Sequence, residues 1–336
     1  MVLHRVTVGS REEEGVKVSG GVIEGDVLIS GWENADLSNA FLGTVPLSAV
    51  KHVKGSLIVG KMWQNDEYVG ESNPGLKHLT GLGVERVEGS FWTHDNPSLM
   101  SLQGIETLKT IRGDLWIESN PSLETLDHLK VQEADGYVKV MTNPSLQSLN
   151  GLNRLSKAHG VVVWECDMLK SLAGLNSMQS LSSYLDVRKN GALESFDGLQ
   201  SLASVAGDVF IEDNPNLASL TALGSITKLE GGLMMHRNGP VIRIGLPCTV
   251  TPSWQDVDEN MGTWSDFCGI KAGAASALVA PASVRGFARA GDQSQAARAD
   301  PVLSPFSFDA ITILLLLALL LLAFPGMRRR LNSKTK

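Results

Sequence analysis

The sequence is poor in several things at once. It has three cysteines in 336 residues, with no CxxC pair and no His/Cys cluster, which excludes a disulfide-dense scaffold and a tetrahedral zinc module. Aromatic residues make up 6% of the chain, lean for one large round core but adequate for many thin layers. There is no Gly-rich phosphate loop and no nucleophile elbow, so nothing calls for a cofactor. No Asn stands in a usable glycosylation acceptor, because Asn96, Asn120 and Asn143 each precede Pro-Ser. Bases are also scarce in the body. Overall 29 Lys+Arg face 36 Asp+Glu, but five of the bases lie in the last nine positions, so the chain up to Asp309 carries 24 against 36, a net of −12. An acidic body without a basic stripe argues against nucleic acid as a partner. The first twenty residues contain no apolar run, so no signal peptide is visible.

The tail is a separate object. Ala310 to Phe324 reads AITILLLLALLLLAF, fifteen residues without a charge. At ~1.5 Å per residue this run is short of a ~30 Å hydrocarbon core, but extended over 306–327 it is long enough to cross. Asp309 and Pro325 would then sit near the two interfaces. Arg328, Arg329 and Arg330 follow at once and place residues 328–336 in the cytosol by the positive-inside bias. The expectation is a single-pass type I protein with its body outside and a leader upstream of Met1. The alternative is a tail-anchored protein whose body stays cytosolic. Residues 271–305, rich in Ala, Ser, Gly and Pro, read as a flexible stalk.

What is abundant is a repeat. GDLWIESNPSLETLDHLKVQEAD from Gly113 aligns with runs starting at Gly89, Gly136, Gly160, Ser183, Gly207 and Gly231, at steps of 24, 23, 24, 23, 24 and 24. Two earlier coils start at Gly25 and Gly55, the second with an insertion of about ten residues before Asn73. Within a coil, Gly opens a short strand of period two whose second and fourth positions point inward, as Leu115 and Ile117 or Val209 and Ile211 do. Aligned on its Gly160, the next coil predicts Val162 and Trp164 inward and Val163 outward. An Asn ends each strand (Asn96, Asn120, Asn143, Asn190, Asn214, Asn238), with Asp167 expected in the series. Pro then stops the strand, and Leu-x-x-Leu-x-x-Leu returns apolar side chains to the same interior. One coil cannot bury these alone, whereas a stack buries them in a continuous column. The expected architecture is a β solenoid over 25–245, after an N-terminal segment 1–24, with a cap at 246–270. Trp254, Trp264 and Phe267 would lie over the open end, pinned by a Cys248–Cys268 disulfide or left with two separate thiols.

The pattern G-D-L-x-I-x-x-N-P-x-L-x-S-L-x-G-L resembles the receptor L domain, the leucine-rich right-handed parallel β-helix of insulin and EGF receptor ectodomains. It is similar also to the L-like repeats of fungal cell-wall surface proteins. That resemblance implies surface display and contact with a ligand or wall. The chain departs from the receptors in lacking a cysteine-rich module and a kinase.

The outward strand positions carry the candidate site. One row reads Leu28, Ile58, Trp92, Trp116, Lys139, Val163, Asp186, Phe210 and Met234, and the next includes His94, Glu118, Met141, Glu165, Arg188 and Glu212. An exposed apolar row rimmed by charges marks an interaction surface. A ligand there, an extracellular protein or a carbohydrate, would meet Trp92, Trp116, Lys139, Phe210, His94 and Glu118. An exposed Trp116 would then cost little stability when truncated, unlike the inward Ile117. Equally, a loop such as the insertion bearing Trp63 could cover the row and make it a second small core. Polysaccharide-cleaving enzymes also use parallel β-helices, and Glu118, Glu165 and Glu212 line one row, but ~10 Å apart, at the upper limit for an inverting pair.

Overall fold

The computed structural model describes residues 5–8, 18–42, 45–64, 67–239, 243–247, 249–253 and 255–258. Cys248, Cys268, Trp254, Trp264, Phe267, the stalk and the apolar tail lie outside the described residues, and so does most of the N-terminal segment. Among the described residues no helix is long and apolar enough to cross a membrane.

The described chain is a β solenoid of stacked parallel coils. Helix is limited to two short 3-10 turns, Leu47–Ala49 and Thr221–Ser225. An 11-stranded sheet runs along one face. Its regular part starts with Asp26–Ile29 and Leu57–Gly60. It continues through seven four-residue strands: Phe91–His94, Leu115–Glu118, Val138–Met141, Val161–Trp164, Leu185–Arg188, Val209–Glu212 and Leu233–His236. Arg5–Val8 pairs in parallel at one end and Gln255–Val257 at the other. Two-residue strands such as Arg86–Val87, Thr110–Ile111 and Glu133–Ala134 form a second face just before each chain re-enters the long sheet.

The interior follows from the two spacings in each coil. Inward strand residues such as Leu115 and Ile117 meet Leu123, Leu126 and Leu129 of the same coil, and all five are fully buried. Equivalent positions stack coil on coil, for example Leu123, Leu146, Leu169, Leu193 and Leu217, in one continuous core cluster. Burying one such Leu or Ile contributes ~1.5–3 kcal/mol. Each contribution depends on the neighbouring coil, so the stack is stable where the single coil is not.

The turn out of each strand combines strain with its remedy. Asp95, Ser119, Thr142, Glu165, Lys189, Asp213 and Arg237 all adopt left-handed backbone, with φ between 52° and 57°, at roughly 1–2 kcal/mol each for an L-residue. The next residue holds the turn. Asn96 Nδ2 donates to the Val59 carbonyl at 3.0 Å and to Asn120 Oδ1 at 2.9 Å, and the Asn120 backbone N–H donates to Asn143 Oδ1 at 3.1 Å. Beyond it, Asn190, Asn214 and Asn238 continue in the same way. These amides are satisfied, and all but the half-buried Asn238 are buried, so they form a ladder rather than a site. A parallel ladder of Ser98, Ser122 and Ser145 hydroxyls donates to Pro74, Pro97 and Pro121 carbonyls, each at 2.6 Å.

One coil corrects the sequence register. Val161 pairs with Val138 and Leu185, so strands begin 24, 23, 23, 24, 24 and 24 residues apart from Phe91 onward. Val161 and Val163 therefore point inward, whereas Val162 and Trp164 face outward. The ladder residue is Cys166, not Asp167, and its N–H donates to Asn190 Oδ1 at 3.1 Å. Glu165 leaves the outward row and occupies the left-handed turn. The cause lies at Gly160, which stands one place later than the other coil-opening glycines. A Cβ there would come within 2.8 Å of the Tyr137 ring and the Tyr184 carbonyl, so only glycine lets Tyr137 reach across the coil to Tyr184, ring centre to ring centre 5.2 Å.

The insertion is an antiparallel hairpin, Met62–Gln64 paired with Glu67–Val69. It leaves the sheet at Gly60, whose φ is 99° and whose Cβ would collide with the His94 carbonyl at 1.8 Å. Met62 then folds over outward-facing Leu28 and Ile58 and packs with Trp92. At this end the loop-covered alternative is the structure.

Candidate functional site

The outer face of the long sheet carries the candidate residues in two adjacent files, now in corrected register. The first is Trp92, Trp116, Lys139, Val162, Asp186, Phe210 and Met234; the second is His94, Glu118, Met141, Trp164, Arg188, Glu212 and His236. Parallel pairing in register puts neighbours of one file ~4.8 Å apart, so the side chains pack on one another.

All six residues expected at a ligand site lie on this face, in two groups. Trp92 and Trp116 meet with ring centres 4.7 Å apart and planes tilted by 53°, so they form a ridge rather than a flat platform. Trp116 is only 6% exposed and packs with Met141 and Val162, against Trp92, Trp164 and Tyr184. It belongs to a satellite core, so of the two readings of the row Trp116 falls on the side of a second small core: β pairing aligns large side chains on three successive coils and they bury one another. Lys139, likewise 6% exposed, lays its Nζ 4.3 Å from the Trp116 ring centre and 4.9 Å from that of Tyr137, with Asp114 at 3.7 Å. A desolvated cation over a ring contributes up to ~2 kcal/mol. Phe210 lies further along, half-buried, with the Arg188 guanidinium 4.8 Å over its ring.

His94 and Glu118 form the hairpin-side group. The Tyr68 ring stacks on His94 at 4.9 Å with planes 11° apart, and Trp63 meets Tyr68 edge-on. His94 Nε2 lies 3.9 Å from Glu118 Oε2. Burial beneath the hairpin pushes the His94 pKa down to about 4, against Asp95, which pulls it up, and with Lys61, which adds to the fall. Burial pushes the Glu118 carboxyl up to about 7, against the Trp116 indole and Lys139, which pull it down. The Trp116 N–H acts on Glu118 through space, without full hydrogen-bond geometry. At neutral pH His94 is therefore uncharged and Glu118 is about half protonated.

Further along, Arg188 joins Asp186 on its own strand to Glu212 on the next coil, the latter at 3.1 Å, and stacks 5.5 Å from the Trp164 ring centre. Burial pushes Asp186 up to about 6, with Arg188 opposing. Glu212 also accepts from Arg237, and His236 sits between Asp256 and Asp258 at 3.2 and 2.8 Å. Trp164, Tyr137 and Tyr184 were not expected here. The signal for Trp164 was legible, since counting back three from Leu169 gives Cys166 as the ladder residue and hence Trp164 as outward.

The carboxylates do not form a free cleaving pair. Glu165 has left the face and binds Thr142 and Lys189. Glu118 and Glu212 are four coils apart, ~19 Å by strand spacing, beyond any glycosidase separation. Asp186 and Glu212 are closer but Arg188 lies between them. Among the described residues no three His, Cys, Asp or Glu side chains converge as metal ligands. No family model, curated protein or solved structure matches the chain.

Proposed function

We propose that this protein is a non-enzymatic binding module, a receptor L-domain-like solenoid displayed on the outside of a membrane and anchored by its C-terminal apolar segment. Its ligand, a protein or a carbohydrate, docks on the outer face of the long sheet. One observation carries this reading: the outer face, where a solvated sheet has polar side chains, instead presents a packed file of aromatic rings and cations from Trp92 to Phe210. The rigid sheet fixes these groups in advance, which lowers the ordering cost of binding. The anchor rests on residues 306–327 and the arginines that follow.

Two measurements on one preparation of cells test it. Protease added to intact cells is expected to remove the solenoid and protect the tail. Loss of an epitope placed after Lys336, with the solenoid intact, would reverse the topology and favour the tail-anchored scaffold. Beads carrying the full chain are expected to adhere to the native surface it meets, and a Trp164→Ala, Phe210→Ala double variant to lose that adhesion. Undiminished adhesion would remove the outer face from the proposal.

A further inference from the structure

The charges of the outer face are answered within the face itself. Lys139 has Asp114, Arg188 has Asp186 and Glu212, Arg237 has Glu212 and Asp213, and His236 has Asp256 and Asp258. Lys61 at the foot of the hairpin has Asp95 at 2.6 Å. A charged ligand would have to break these pairs or find no counter-charge. What stays open to a partner is aromatic and polar without net charge. Tyr68 is 49% exposed on the hairpin, and Trp92, Trp164 and Phe210 are half-buried. The indole N–H groups of Trp92 and Trp164 are themselves buried and face inward, so the rings offer apolar surface, and Glu118 offers a partly exposed carboxyl between them.

The shape has a direction. The hairpin covers Leu28 and Ile58 completely, so the accessible rings begin at Tyr68 and Trp92 and recur at Trp164 and as far as Phe210, with buried Trp116, Lys139, Val162 and Asp186 as the floor between them. That span is five coil steps, ~24 Å at the strand spacing. The same kinds of group recur along it rather than converging at one point, which suits an extended repeating chain and not a single small molecule. Aromatic rings accept the apolar faces of sugar rings, and the Tyr68 hydroxyl and the Glu118 carboxyl oxygens suit their hydroxyls.

We propose that the ligand is a neutral polysaccharide strand, lying along the outer face from Tyr68 and Trp92 past Trp164 to Phe210. This rests on the outer face being the binding surface. The probes are a soluble neutral β-glucan, a neutral chitin oligosaccharide series, and dextran sulfate, each tested against the full-length protein in detergent by affinity electrophoresis. Retardation by a neutral glycan supports the proposal when it persists in high salt, strengthens with oligomer length until the chain spans ~24 Å, and weakens about 30-fold in Trp92→Ala and in Trp164→Ala. Phe substitutions at the same positions keep the ring and are expected to restore most of the binding, which separates lost contact from lost folding. Retardation by dextran sulfate alone, abolished by salt, overturns the neutral ligand. No retardation by any glycan, with bead adhesion still dependent on Trp164 and Phe210, overturns the glycan and keeps the face. Loss of both overturns the face as well.

Discussion

Cys166 interrupts the amide ladder, and replacing it with Asn tests whether that ladder stabilises the stack as its geometry implies. On either side the pattern is complete: Asn120 Nδ2 reaches the Thr93 and Glu118 carbonyls, and its N–H meets Asn143 Oδ1. At the next coil Asn143 still finds the Ile117 and Met141 carbonyls, at 2.9 and 2.8 Å. Its forward partner is a thiol, which offers only weak contacts: Sγ lies 3.8 Å from the Val140 carbonyl and 3.4 Å from that of Trp164. Asn is close to Cys in volume, so Cys166→Asn places an amide where seven others stand, Asn73 included. Its Oδ1 would accept from the Asn143 N–H and its Nδ2 would donate to the Val140 carbonyl. Two buried hydrogen bonds gained at ~0.5–1.5 kcal/mol each give about 1–3 kcal/mol, a rise in Tm of about 2–12 °C for a domain of this size. Thermal and urea unfolding of the full chain, followed by tryptophan fluorescence, measures it. Asn120→Ala calibrates the scale in the opposite direction, since it orphans buried partners at ~1–3 kcal/mol each. A Cys166→Asn protein no more stable than its parent, beside a clearly weakened Asn120→Ala, would refute the idea that the thiol is a gap in the ladder.

Other expectations follow from the same geometry. Trp116→Ala is expected to cost about 3–5 kcal/mol, as much as Ile117→Ala at about 2–5, because Trp116 is packed in its satellite core; urea unfolding showing a neutral Trp116→Ala would contradict that burial. Burial pushes the Cys166 thiol up to about 12, so a thiol reagent at pH 8 is expected to leave it unmodified in the folded protein and to label it in urea. Glu118, raised by burial to about 7 from an ordinary 4.5, contributes stability below pH ~4.5 that is lost as pH rises through 7. Glu118→Gln is therefore expected to match the parent at pH 4 and exceed it at pH 8 by on the order of 2–3 kcal/mol. His94, held down to about 4, works the other way, contributing stability above pH ~6.5 that is lost as pH falls toward 4. With Glu118 replaced, that acid loss stands alone, and urea midpoints from pH 4 to 8 should show it; a flat profile would contradict the burial of His94.

The coil architecture was legible because it is overdetermined. Gly, the alternating strand, Asn, Pro and the three-residue Leu spacing all specify the same turn, and their recurrence every 23 or 24 residues leaves one way to bury them. The register failed at the one coil where those signals disagree. VVVW has no alternation of apolar with polar, so a slip by one residue exchanges Val161 and Val163 for Val162 and Trp164 and leaves both sets apolar. Gly160 then suggested one frame and Leu169, Leu172 and Leu175 the other. The leucines decide, because three fully buried side chains outweigh the placement of one glycine.

The exposure of the outer face was not legible for a different reason. Alternation says which way a side chain points, but not what lies over it. Leu28 and Ile58 point outward as the pattern requires, and are still buried, because a ten-residue insertion elsewhere in the chain folds back onto them. Trp116 also points outward and is buried by its own neighbours across coils. In a solenoid, a residue type repeated at one position becomes a column, and a column of large side chains makes a core on whichever face it stands. The functional reading therefore shifts from Trp116, which supports the face from within, to Trp164 and Phe210, whose rings are half-buried and lie on either side of Arg188. That shift separates two variants that sequence alone treats alike. Loss of the Trp116 ring acts through folding, whereas loss of the Trp164 ring acts on whatever the face holds.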